Sequence, residues 1–194
     1  MKVVLDIETD GFNPSKIHCI VAKDIDTNTV YVWDSSNMYG FKSWAKDVDK
    51  FIMHNGLSFD APVLNKLLDA DILPGNIVDT LILSQLFNPI REKGHSLKAW
   101  GEKLNILKGG KDVNFSKYNQ AMLDYCKQDV EITHAVYKEL LKESKGFTKE
   151  SIDLEHDIRL ILDQQEKNGF AFNIQKAQEL LAKLKDDIYD LEQW

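Results

Sequence analysis

Two acids, Asp6 and Glu8, stand two residues apart in the run Val3-Val4-Leu5-Asp6-Ile7-Glu8-Thr9. The aliphatic and β-branched neighbours predict a strand, and on a strand residues i and i+2 project from one face. Two carboxylates side by side on an otherwise apolar strand repel each other and resist desolvation. A cation between or above them relieves both effects, and paired hard oxygen donors suit Mg²⁺ or Mn²⁺. The rival reading is two acids on an exposed strand face, against which Val3, Val4 and Leu5 weigh. Two further acids can complete such a site. Asp60 opens a predicted helix in Asn55-Gly56-Leu57-Ser58-Phe59-Asp60, where an ordinary N-cap is the competing role. Asp129 lies on a long predicted helix with Tyr125 one turn before it, and an i,i+4 pair shares a helical face. Alone, Asp129 reads as a solvated acid. A pair of octahedral ions about 3.5–4 Å apart needs several carboxylates besides substrate oxygens, and four acids on separate elements meet that need.

The elements that must position these residues follow from the same chain. Ile17–Ala22 and Val30–Trp33 read as second and third strands of a meander, joined by the turn Asp26-Thr27-Asn28. Residues 38–48 carry Phe41, Trp44, Ala45 and Val48 at helical spacing. Phe51-Ile52-Met53-His54 suits a buried parallel strand, ended by Asn55-Gly56. Ser58 to Pro62 opens a helix whose buried face is Val63, Leu64, Leu67 and Leu68. Ile77-Val78-Asp79 ends another strand, and Asp79-Thr80 reads as the cap of a helix through Leu81, Leu83 and Leu86. Ser96 to Trp100 is helical, Lys108-Gly109-Gly110-Lys111-Asp112 is the segment richest in flexible residues, and Asn119–Leu141 is one amphipathic helix. Strands first, then strands alternating with helices, predict an α/β fold: a mixed five-stranded sheet with helices on both faces over residues 1–145. Residues 146–194 predict a helical hairpin, 148–168 and 173–193, with Phe147 and Ile152 placed for a hydrophobic staple.

Composition narrows the classes. Lys and Arg number 24 against 31 Asp and Glu, a net charge of −7, which argues against broad duplex binding through a basic patch. An enzyme gripping a short single strand stays compatible with that balance. No apolar run approaches the roughly 18 residues of a membrane span, and Met1-Lys2 leads straight into a strand without a signal-peptide pattern. Cys19 and Cys126 lack CxxC spacing and read as free thiols of a cytoplasmic protein, expected to be a monomer. His18, His54, His134 and His156 show no metal spacing, and His95 reads as a loop residue near a cap. Trp33, Trp44 and Trp100 read as core or interface aromatics. Lys108, Lys111 and Lys117 flank the Gly-Gly loop, as a nucleic-acid contact or as a solvated basic loop.

With those residues in place, the chain resembles the proofreading 3′–5′ exonucleases of the DEDD superfamily, of ribonuclease H-like fold. Their D-x-E motif corresponds to Asp6-Ile7-Glu8, their N-x₃-F/Y-D motif to Asn55 through Phe59 and Asp60, and the Y-x₃-D motif of the DEDDy branch to Tyr125 through Asp129. The histidine branch would need His at position 124, which is Asp124. Val78-Asp79-Thr80-Leu81, His95 through Gly101, and Glu166-Lys167-Asn168-Gly169-Phe170 further resemble the exonuclease region of family A DNA polymerases of the phage T7 type.

The resemblance implies two ions, Mg²⁺ or Mn²⁺, on Asp6, Glu8, Asp60 and Asp129, with Tyr125 orienting the attacking water. It implies contacts to the terminal nucleotide from Thr9, Gly11, Phe12, Asn55 and Phe59, and a single-stranded DNA 3′ end as substrate. A DNA polymerase domain, attached or associated, is the implied partner, and the host cytoplasm the compartment if the chain is of phage origin. An RNA-directed exonuclease of the ribonuclease D kind keeps the chemistry and changes the substrate. A non-catalytic scaffold module would keep only the fold, and the presence of all four acids and the tyrosine weighs against it.

Overall fold

A computed structural model describes residues 1–106 and 117–193; Lys108, Lys111 and the rest of the Gly-Gly segment lie outside the described residues. The strands are β1 (Lys2–Thr9), β2 (Ile17–Asp24), β3 (Val30–Trp33), β4 (Lys50–Met53) and β5 (Ile77–Asp79). They form one sheet in the order β3-β2-β1-β4-β5. β1 runs antiparallel to β2 and parallel to β4, and β4 runs parallel to β5, so the sheet is mixed. The helices are α1 (Gly40–Ala45), α2 (Asp60–Leu68), α3 (Thr80–Phe87), α4 (Leu97–Lys103), α5 (Gln120–Glu143), α6 (Lys149–Asn168) and α7 (Ile174–Glu192).

β1 is the middle strand, and its alternation divides the interior. Val3, Leu5 and Ile7 join the cluster that holds Phe41 and Ala45 of α1 and Ala61, Val63 and Leu64 of α2. Val4, with Cys19, Val21 and Ile52, faces Met122, Cys126 and Val130 of α5. Leu83, Leu97 and Trp100 pack with Ile132, Val136 and Leu140 in a third cluster. Trp33, Trp44 and Trp100 therefore sit where core aromatics were expected, the first two in an aromatic group with Tyr31 and Phe41. His95 is tied down by Ser84 Oγ at 2.9 Å from Nδ1.

The β1–β4 ladder pairs Lys2 to Val4 with Lys50 to Ile52 and goes no further. Asp6 and Glu8 lie beyond that last pair, still in register with Val21 and Cys19 of β2. The carboxyl ends of the parallel strands β1, β4 and β5 all lie at this end, which is where open α/β sheets bind their ligands.

One local expectation is corrected. Ser58 and Asp60 do not cap α2: the N-cap position is Phe59, without a side-chain cap bond, and Asp60 is the first helical residue. Phe147 meets Phe87 with ring centroids 4.7 Å apart and planes tilted by 43°, and Phe87 and Ile152 pack on the third cluster. Asp79 does cap α3, accepting from the Leu81 amide.

The contacts divide the chain into a compact unit over Met1–Ile161 and a second over Leu162–Trp194. Within the second, α7 carries Leu180, Leu181, Leu184, Ile188 and Leu191 at helical spacing, all exposed. No helix among the described residues is long and apolar enough to cross a membrane.

Candidate active site

Asp6 and Glu8 project from the face of β1 that α5 covers, as their shared parity with Val4 requires. Glu8 and Asp129 are buried, and Asp6 is half-buried. Burial pushes the Asp6 carboxyl well above the usual carboxylate range, and the charges of Asp60, Asp129 and Glu8 push it further. Asp60 of α2 and Asp129 of α5 thus add their charges to that of Glu8 on Asp6. Nothing in the spacing of the sequence singled out Cys126. Its Sγ lies 3.4 Å from both the carbonyl oxygen and Oδ2 of Asp6, so the thiol donates to the acid. Burial raises the Cys126 thiol well above its ordinary value, which keeps it a donor. The one available signal was its place between Tyr125 and Asp129, on the turn of α5 that must face β1.

Asp60 is supplied by the first turn of α2. Burial raises its pKa to about 7, opposed by the backbone amides of Asp60 and Ile7, which favour the charged form; Asp79 adds a further upward push. The Ile7 amide ties Asp60 to the strand between Asp6 and Glu8. The loop that delivers Asp60 is tight. Asn55 adopts φ 66°, in the left-handed region. A Cβ at Gly56 would stand 2.2 Å from the Met53 Cβ, so only glycine fits there. Asp79, read from sequence as a cap in preference to a ligand, holds this loop as well. Its Oδ1 accepts from the Asn55 amide at 2.9 Å and its Oδ2 from the Leu57 amide at 3.0 Å.

The other expected residues surround the cluster in sequence and differ in setting. Tyr125 is half-buried on α5, one turn before Asp129. Thr9 is buried at the end of β1, its Oγ1 donating to the Gly11 carbonyl at 2.9 Å. Gly11 is exposed, and Phe12 is 101% exposed, a large apolar side chain held in water directly after the acidic strand. Asn55 is exposed and Phe59 is half-buried against the α1–α2 side of the core. Lys117 is exposed.

The donor set fits a divalent cation. Ligand atoms of Asp6, Glu8 and Cys126 lie within 4.8 Å of one another. The carboxylates are hard donors, and a dication would relieve the mutual repulsion that raises Asp6. The protonated Cys126 thiol suits such an ion less than it suits a bond to Asp6.

An open mixed sheet with an acidic cluster at the carboxyl ends of its parallel strands is an α/β fold whose clustered donors could hold a divalent cation. A family model described as 3′–5′ exonuclease matches residues 2–145, and the chain belongs to that family. Such exonucleases in general depend on divalent metal ions. The chain is 28% identical to the DNA-directed DNA polymerase of Escherichia phage T7 and 26% identical to that of Enterobacteria phage T3. Each alignment covers 94% of this chain and 35% of the polymerase, so the chain spans about a third of these relatives' length. Two solved structures share the ribonuclease H-like exonuclease fold. Brucella melitensis NrnC bound to pGG superposes with TM-score 0.63 at 22% identity, covering 84% of this chain and 81% of that one. Escherichia coli RNase D, an exoribonuclease, gives 0.61 at 17% identity, covering 88% of this chain and 46% of that one.

Proposed function

We propose that the chain hydrolyses the 3′-terminal phosphodiester of single-stranded or frayed DNA, releasing nucleoside 5′-monophosphates, and that it does so as the proofreading part of DNA replication. The observation that carries this reading is the action of Glu8, Asp60 and Asp129 together on Asp6, in an exonuclease family member. Asp6, Glu8, Asp60 and Asp129 would hold two ions, Mg²⁺ or Mn²⁺, which when bound supply an activated water and stabilise the departing 3′-oxygen. Tyr125 orients the attacking water through its hydroxyl. The water oxygen bonds to phosphorus as the P–O3′ bond breaks, and the 3′-oxygen leaves to become the new end of the strand. Thr9 and Gly11 offer backbone and hydroxyl groups to the terminal nucleotide, and Asn55 and Phe59 offer a second set of contacts. Phe12 offers a ring on which any base can stack, a sequence-tolerant contact. A DNA polymerase domain, attached or associated, fits the phage polymerase relatives.

The assay is mononucleotide release with Mn²⁺ or Mg²⁺ from end-labelled single-stranded DNA, mismatched duplex and RNA of one sequence. DNA is expected to be degraded faster than RNA, with mismatched ends faster than paired ones, and chelator is expected to stop the reaction. Preferential RNA degradation would replace the substrate assignment with an RNA reading, as for the exoribonuclease RNase D of similar fold. Absence of release from every substrate would overturn the enzyme reading.

A further inference from the structure

The second-motif loop is held from outside the segment that the exonuclease family covers. Asp79 is 1% exposed, and its carboxylate gathers three amides: Asn55, Leu57 and Leu81. This carboxylate is thus the bracket between the loop ending in Asp60 and the start of α3. The bracket itself is fastened by α6. The Asp79 amide donates to His156 Nε2 at 3.0 Å. His156 Nδ1 lies 2.8 Å from the Ile152 carbonyl, so Nδ1 carries the proton and Nε2 is the acceptor. One turn later, Arg159 Nε donates to Ser58 Oγ at 2.9 Å, two residues before Asp60. Leu160 packs on the α1–α2 core and Ile152 on the third cluster, which fixes this stretch of α6 against the same unit.

We propose that His156 and Arg159 are positioning residues for Asp60, so that the first turns of α6 form a working part of the active site although they follow the matched region 2–145. The loop is tight: Asn55 holds a positive φ and no side chain fits at Gly56, so a shift of Asp79 has little slack to be absorbed in. Without the acceptor on His156, Asp79 would leave a buried amide unsatisfied and would tilt. The two loop amides bonded to its carboxylate would move with it, and Asp60 follows them in sequence. Hydrogen-bonded supports of this kind around metal ligands typically change metal affinity or activity about 10–100-fold when removed.

The inference rests on the exonuclease reading for its kinetic consequences, and its test separates the two. In the full chain, His156→Leu keeps bulk and removes the acceptor, while His156→Gln restores an oxygen acceptor. His156→Leu is expected to lower the mononucleotide release rate and to raise the Mn²⁺ concentration at half-saturation, together about 10–100-fold. His156→Gln is expected to recover most of that loss, and Arg159→Leu to show a smaller version of it. Two readouts do not depend on activity: Mn²⁺ affinity by calorimetry, and hydrogen exchange at the Asn55 and Leu57 amides, which should speed up in His156→Leu and not in His156→Gln. Wild-type Mn²⁺ affinity and amide protection in a folded His156→Leu would overturn the inference. So would a loss that follows the melting temperature alone and is not rescued by Gln. A wild-type chain that binds Mn²⁺ and releases no nucleotide would overturn the exonuclease reading instead, and the positioning role would then stand or fall on affinity and exchange.

Discussion

On one face of β1, Val3, Leu5 and Ile7 pack against α1 and α2; on the other, Val4 is followed by Asp6 and Glu8 beneath α5. The first face is apolar from Val3 to Ile7 and contributes hydrophobic burial. The second changes character at the point where β4 stops pairing, and from there it gathers carboxylates from three elements. One backbone thus carries a face selected for stability and a face that gives stability up. In the second, like charges are brought together and desolvated, an arrangement typical of functional sites.

Substitutions on the two faces should separate cleanly. Asp129→Ala, or Asp6→Ala, is expected to reduce mononucleotide release by about 10³-fold or more, since a site of this kind supplies several kcal/mol of transition-state stabilisation and each 1.36 kcal/mol is tenfold. The same variants should melt no lower than the parent in chelator, because each removes one of the repelling charges. Leu5→Ala, at a position 1% exposed, should cost about 2–5 kcal/mol in denaturant unfolding while the folded fraction keeps its rate. A Leu5→Ala protein that is stable but inactive, or an Asp129→Ala protein that unfolds, would erase the distinction between the faces.

The pH dependence sharpens the comparison because it acts on the acidic face alone. Burial and neighbouring charge raise Asp6, and burial raises Asp60 to about 7. In the unfolded chain both ionise near pH 4. Between about pH 4 and 7 the folded protein therefore holds more protons than the unfolded one, and its stability falls as pH rises through that window. For Asp60 the loss is on the order of a few kcal/mol. At high pH the ionised Asp6 and Asp60 would be left to a divalent ion, if bound, as their counter-charge. Mn²⁺ should therefore raise the melting temperature more at about pH 8 than at about pH 5, by roughly 2–4 °C for each kcal/mol. Equal shifts at the two pH values would mean that the ion binds away from these carboxylates.

What could be read from sequence, and what could not, follows the range of the interactions. The Asp6–Glu8 pair, the Tyr125–Asp129 turn and the Asn55-to-Asp60 segment each rest on spacing within a few residues, where strand and helix periodicity decide which side chains share a face. The strand alternation of β1 gave both of its faces. The Asp79 bracket joins positions 24 and 22 residues apart, the Asp79–His156 bond spans 77, and Cys126 meets Asp6 across 120. No local pattern encodes those pairings, because each depends on how β4, β5, α5 and α6 come together. A cap signal at Asp79 was legible and true, and it concealed the second task of the same carboxylate.

Cys126 tests where packing ends and chemistry begins on the acidic face. Its thiol touches Asp6 at 3.4 Å, a weak bond of the kind sulfur makes, and the residue is fully buried among Val4, Cys19 and Met122. If packing is its role, Cys126→Ala should cost about 1 kcal/mol in denaturant unfolding and less than about tenfold in rate at saturating Mn²⁺, since it removes one weak bond to Asp6 and no carboxylate. Cys126→Ser should keep a donor toward Asp6 and so hold the rate closer to the parent than Ala does. A drop of a hundredfold in Cys126→Ala with restoration in Cys126→Ser would reverse the order. The thiol would then belong to the machinery that aims Asp6, and the boundary between the two halves of that face would move one helical turn along α5.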